Sequence, residues 1–282
     1  MTHHCEDQGV LPEPFTSTTM RGIAALAFVF FGITSGALGD SVSLTAVADT
    51  SLYQNNPDAN LGATTLVAGQ NERDSRARAL FRFDLSAIPS GATISDVVFS
   101  LSVVRRPDPA QHPVVNSDFS LYRLLKDWGE GLGNAVTGSN ALSGDATWKD
   151  RHFGSSSWDT GGGLSGTDFA GTESTSTTIS GLGLYLWPST AAMVSDVQGW
   201  VDTPSSNFGF ILISQSEDTA GSARRFSSKE LPIEGTPPHL NVTYFTVPES
   251  GTCGMLLGGL LGLGGITQRK MRAAVKGSAL LD

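Results

Sequence analysis

Cysteine is nearly absent from this chain. Cys5 and Cys253 sit close to its two ends, and the long stretch between them has none. That excludes a disulfide scaffold there, and a C-x-x-C redox or zinc motif with it. Charge is also sparse. Only 16% of the residues are charged against 39% hydrophobic, and the formal net charge is −9. Without a long basic run to release phosphate counterions, nucleic acid is excluded as a partner. Catalytic motifs are missing too: there is no H-E-x-x-H, no G-x-S-x-G and no P-loop. Carboxylates are available, but no spacing pairs two of them for glycoside hydrolysis. His112, His152 and His239 are isolated, and one histidine builds neither a dyad nor a metal site.

What the chain does have is glycine, 33 of 282 residues, and short apolar alternation. That composition suits a loop-rich all-β protein. In R-A-L-F-R-F-D-L from Arg78, the residues Ala79, Phe81, Phe83 and Leu85 fall on one side of a strand. In T-I-S-D-V-V-F-S-L-S-V-V from Thr93, Val97, Phe99, Leu101 and Val103 do the same. A period of two with β-branched and aromatic residues signals half-buried strands, and Pro89, Ser90 and Gly91 between them are turn chemistry. Further strands are expected over 41–53, 64–68, 119–125, 223–227 and 240–244. The run Phe208 to Ile213 is apolar throughout and reads as a buried central strand. Residues 126–180 are rich in Gly, Ser and Thr and weakly periodic, but they hold Trp128, Trp148 and Trp158 and so are no simple linker. Met193, Val194, Val197, Trp200 and Val201 recur at helical spacing, which predicts one short amphipathic helix over 191–201 that ends near Pro204. The expected fold is an all-β, jelly-roll-like β-sandwich over residues 40–246 with that single helix.

The two ends read differently. Arg21 followed by I-A-A-L-A-F-V-F-F-G-I, with Ala37-Leu38-Gly39 behind it, reads as an export signal within a 1–39 extension. At the other end, Val247-Pro248-Glu249-Ser250 precedes a small and apolar stretch and then Arg269, Lys270 and Arg272. This 247–282 segment resembles the PEP-CTERM sorting signal, with Ser250 where the motif's second proline belongs. The resemblance implies processing by an exosortase-type protease and membrane contact through the terminal segments alone.

A second resemblance covers roughly residues 42–244. In order, the chain carries A-D-T-S-L-Y-Q-N-N-P-D-A-N-L-G from Ala48, F-R-F-D-L-S-A-I-P-S-G-A-T-I from Phe81, D-W-G-E-G from Asp127 and G-D-A-T-W from Gly144. D-V-Q-G-W-V-D from Asp196, N-F-G-F-I-L from Asn207 and R-R-F-S-S-K-E from Arg224 follow. This ordered set resembles the DNRLRE domain, an extracellular bacterial β-sandwich related to carbohydrate-binding modules. Lys229 stands where relatives usually carry arginine. The resemblance implies an exported, non-catalytic protein of the cell envelope or extracellular matrix that binds polysaccharide. Two rivals are a structural or adhesion protein with no sugar site and a polysaccharide-degrading lyase or hydrolase. The length leaves no room for a separate catalytic domain, which disfavours the enzyme.

Sugar binding asks for aromatic faces and polar neighbours. Trp158 and Trp187, set among Gly, Ser and Pro outside the expected strands, are the platform candidates. Trp128, Trp148 and Trp200 read as structural aromatics. Arg123, Arg151 and Arg225, with Lys126 and Arg224, are candidates to meet the carboxylates of an acidic polysaccharide, whose geometry suits the guanidinium fork. No cofactor is required. Calcium is a further candidate ligand, at Asp49, Asn55, Asp58 and Asn60, which bunch near the first strand.

Overall fold

The computed structural model describes residues 39–231 and 235–246. The expected export and sorting segments lie outside these residues. The strands are β1 (Asp40–Tyr53), β2 (Ala59–Asn60), β3 (Leu66–Gln70), β4 (Arg76–Phe83), β5 (Thr93–Arg105), β6 (Ser117–Arg123) and β7 (Ser139–Asn140). They continue as β8 (Asp150–His152), β9 (Ser156–Ser157), β10 (Thr175–Ile179), β11 (Gly183–Trp187), β12 (Phe210–Ser214), β13 (Arg224–Phe226) and β14 (His239–Phe245). One α-helix, α1 (Ala191–Asp202), lies between β11 and β12.

The alternation of the sequence becomes a two-layer β-sandwich. In the front layer the first half of β1 pairs with β14, β14 with β5, and β5 with β11. In the back layer the second half of β1 pairs with β4, then come β12, β6 and β10. All of these ladders are antiparallel. β1 changes layers at a bulge between Ala46 and Ala48, and β3 links the layers at one end by pairing with both β13 and β4. Between the layers the inward residues of β4 and β5 meet: Phe99 lies 5.2 Å from Phe81, 6.1 Å from Phe83 and 5.1 Å from Trp187, ring centre to ring centre. Helix α1 follows the predicted span. The hydroxyl of Thr190 accepts the Met193 N–H at its N-terminus, and Met193, Val197, Trp200 and Val201 are its buried stripe.

The back layer is apolar on its outer side as well. Leu52, Leu80, Ile211 and Ile213 face away from the first core and form a second one with Trp128, Trp148, Trp158 and Phe169. All four aromatics come from the long segment after β6, so this segment is a cover over the sheet. Two arginines of β4 hold it down. Arg78 lies 5.9 Å from the Trp148 ring and 5.6 Å from that of Phe169, donates to the carbonyls of Gly162 and Gly163, and pairs with Glu217. Arg82 lies 5.1 Å from the Trp128 ring and pairs with Asp127. Close backbone approach fixes two glycines of this region. A Cβ on Gly129 would stand 1.9 Å from the Gly144 carbonyl oxygen, and one on Gly209 (φ +81°) 1.8 Å from that of Phe81.

The structure corrects the sequence reading at β10 and β11. Residues 175–187 were expected to lie outside the strands, because T-S-T-T-I shows little apolar contrast. They form two antiparallel strands that turn the chain from the back layer to the front.

Packing on both sides of the back layer has a measurable consequence. Ile211→Ala is expected to cost about 2–5 kcal/mol in urea denaturation. A change below about 0.5 kcal/mol, as for a water-facing position, would contradict a second core.

Candidate functional site

The expected platform residues do not reach solvent. Trp187 ends β11 and is fully buried, its indole N–H donating to the Phe119 carbonyl at 2.6 Å. Trp158 is buried in the second core and donates to the Thr147 carbonyl at 3.0 Å. Neither offers a ring face to a sugar, because both are needed to fill the space against the sheets. Two of the expected arginines also serve the fold. Arg123 Nε sits 2.9 Å from an Asp196 carboxylate oxygen of α1. Arg151 donates to the carbonyls of Ser157 and Asp127, both at 3.3 Å.

The proposed calcium ligands are not gathered as a set. Asn60 has its amide fully engaged: Oδ1 accepts from the Gly62 and Gly133 N–H groups, and Nδ2 donates to the carbonyls of Glu130 and Ala146. Asp58 pairs with Lys149 at 2.9 Å, and Asn55 is exposed in the turn after β1. Asp49 alone joins a carboxylate cluster, and its partners are Glu130 and Glu230, with one oxygen of each residue within 4.8 Å of the others.

That cluster draws on three separate stretches of the chain. The Asp49 side chain points between the layers, in register with Phe81. Its Oδ2 accepts the Lys229 backbone N–H at 2.8 Å. Glu130 caps the free side of β1 by accepting the Asp49 N–H at 2.7 Å, and its carboxylate also takes the Lys229 ammonium at 3.0 Å. Glu230 is the ammonium's other partner. One lysine thus faces three carboxyl groups, and these are the groups that could hold a cation. Burial is the larger force on Asp49. It raises the pKa to about 8, reinforced by the nearby Glu230 and Glu130 charges and opposed by the Lys229 N–H. Burial also raises Glu130. Burial alone would lower Lys229, but its hydrogen bonds to Glu230 and Glu130 override that and raise it.

A second arrangement lies on the front side. β13 and β5 pair with Arg225 directly opposite Arg105. These two, with Arg106, Arg224 and Tyr53, line an open groove of about 420 Å³, and the carboxylates Glu72 and Asp108 stand in the same lining. Burial first, then the Arg106 cation, push the Arg224 guanidinium down. Arg224 itself is buried and structural, donating to the carbonyls of Val115, Gly221, Ser222 and Ala223. Of the four arginines singled out from the sequence, Arg224 and Arg225 line this groove, and Arg123 and Arg151 do not. Arg105 and Arg106 were missed. The Arg-Arg pairs at 105–106 and 224–225 were visible signals, but the register that brings them together was not. No family model matches the chain, and no curated protein matches it either.

The cluster generates a pH prediction. The folded-state pKa of Asp49 lies above the carboxylate value of about 3.9 expected when unfolded, so the folded protein holds a proton that the unfolded chain releases. The stability this confers is complete below about pH 4 and is lost as pH rises through about 8, at no more than about 1.4 kcal/mol per pH unit. Glu130, shifted the same way, adds to this slope. Asp49→Asn mimics the protonated acid and should flatten the slope in denaturation curves taken across that range. An unchanged slope in the variant would place its origin elsewhere.

Proposed function

We propose that this domain is an exported, non-catalytic polysaccharide-binding module of the cell envelope or extracellular matrix, and that it takes acidic polysaccharide in the arginine groove. The observation that carries this reading is the pair Arg105 and Arg225, aligned across two strands beside Arg106 in a protein of net charge −9. Arginine forks suit carboxylates at fixed spacing. Tyr53, half-buried at the groove wall and hydrogen-bonded to Asn71 at 2.9 Å, adds an aromatic surface for a sugar ring. The resemblance to the DNRLRE domain and the export and sorting signals support the same assignment of class and place.

Calorimetric titration with a polyuronate and with a neutral glucan tests this. Wild type is expected to bind the polyuronate, to bind less tightly as salt rises, and to leave the neutral polymer alone. The Arg105→Ala, Arg225→Ala double variant should lose at least about tenfold in affinity, corresponding to about 1.4 kcal/mol, with an unchanged circular dichroism spectrum. Absence of binding to any acidic polymer would leave a structural matrix role as the better reading. Binding that the double variant retains in full would move the site away from the groove.

A further inference from the structure

The arginine groove adjoins a second open cleft, of about 470 Å³, and Tyr53, Asn71 and Glu72 line both. Each is within the size range of small-ligand pockets. Their chemistry differs. The groove brings together Arg105, Arg106 and Arg225. Its carboxylate Asp108 is engaged within its own loop, accepting the Ala110 N–H at 3.0 Å and the Gln111 side-chain amide at 2.9 Å. The cleft sets one cation, Arg73, against one anion, Glu72, and adds the amides of Asn55 and Asn56 and the residue Thr137. Such a surface has no excess positive charge to offer a carboxylate, but it has both donors and acceptors for hydroxyl groups.

Several of these groups are held in place. Asn71 Oδ1 accepts the N–H groups of Arg73 at 2.9 Å and Ser75 at 3.2 Å, which fixes the turn between β3 and β4. Its Nδ2 donates to the Tyr53 phenol oxygen at 2.9 Å, so the phenol's own proton is left to donate. Asn56 Nδ2 donates to the Thr137 carbonyl at 2.8 Å, which leaves its Oδ1 as an acceptor. The side chains of Asn55 and Arg73 are exposed and have no partner among the described residues.

We infer that the cleft is a second sugar subsite, one for a neutral, hydroxyl-rich ring that follows the acidic ring in the groove. The ligand is then a heteropolysaccharide in which uronate and neutral sugars adjoin, with Tyr53 between the two rings. The neutrality of the second ring comes from the cleft's own side chains. The acidic neighbour rests on the groove reading above.

Two hexasaccharides, one alternating glucuronate with N-acetylglucosamine and one of uronate alone, test this by calorimetry on the full-length protein. Wild type is expected to bind the alternating one about tenfold more tightly, the order of gain that a net hydrogen bond or two supplies. Asn55→Trp, at an exposed position, fills the cleft and should erase that preference while leaving the all-uronate affinity unchanged. The Arg105→Ala, Arg225→Ala double variant should weaken both. The cleft also has its own readout. In ¹⁵N spectra, the side-chain amide signals of Asn55 and Asn56, assigned with Asn55→Asp and Asn56→Asp, should move with the millimolar methyl glycoside of N-acetylglucosamine, in the double arginine variant as in wild type. Equal affinities in wild type, a preference that persists in Asn55→Trp, or amide signals that the neutral glycoside leaves still would each overturn the inference. If neither hexasaccharide binds but the amide signals move, the groove reading falls and the neutral subsite stands.

Discussion

The back sheet of this sandwich is apolar on both faces, and much of the structure answers to that constraint. Antiparallel sheets often leave one face to water. Here every residue of β12 is buried, with Phe210 and Leu212 turned to the front layer and Ile211 and Ile213 to the outside. The outer face therefore needs a cover, and the long segment after β6 supplies it with Trp128, Trp148, Trp158 and Phe169. A segment rich in glycine has little tendency to order itself. It is held because Arg78 and Arg82 place cations over its aromatic rings and donate to its backbone carbonyls. All five tryptophans end up buried by these needs and by the first core.

That allocation determines what remains for recognition. With the tryptophans inside, the acidic polysaccharide proposed as ligand would meet charged and polar groups instead. The formal charge of −9 is a poor guide to this, because charge acts locally over about a Debye length. Arg105, Arg106 and Arg225 share one groove with Glu72 and Asp108, while Asp84 and Asp202 stand at the end of the sandwich near α1. The Asp49–Glu130–Glu230 cluster is different again: Asp49 is buried, Lys229 supplies its own cation, and the network joins the stretch after β13 to the free side of β1.

Much of the sandwich was legible from the sequence, and the reasons are specific. Phe81, Phe83, Phe99 and Leu101 alternate strongly, so their strands and inward faces followed directly. The helical spacing of Met193, Val197 and Trp200 placed α1 within one residue of its observed end. The unbroken apolar run at 208–213 already implied a sheet covered on both sides. What it could not say was that the cover comes from the segment after β6. β10 was missed because Thr and Ser dominate its five residues, and Trp187 was mistaken for a loop residue as a result. The sites were less legible still. Arg105 and Arg225 are adjacent through strand register, and Asp49 and Glu130 meet across a free strand side, and neither relation leaves a local pattern.

β1 ties these places together. Its bulge at Ala46 to Ala48 carries it from the front layer to the back and leaves Val47 exposed. Two residues on, Asp49 enters the carboxylate cluster, and Tyr53 closes the strand at the wall of the arginine groove. The pleat has a period of two, so a slip of one residue would turn Asp49 to the outer face and Leu52 to the inner one. Asp49 opposes that slip through its own bonds. Its carboxyl is hydrogen-bonded to the Lys229 backbone and its N–H to Glu130, two contacts available in one register only. A buried carboxyl in a costly position thus fixes the strand that supplies Tyr53 to the groove, which gives the cluster a structural purpose whether or not it ever meets a ligand.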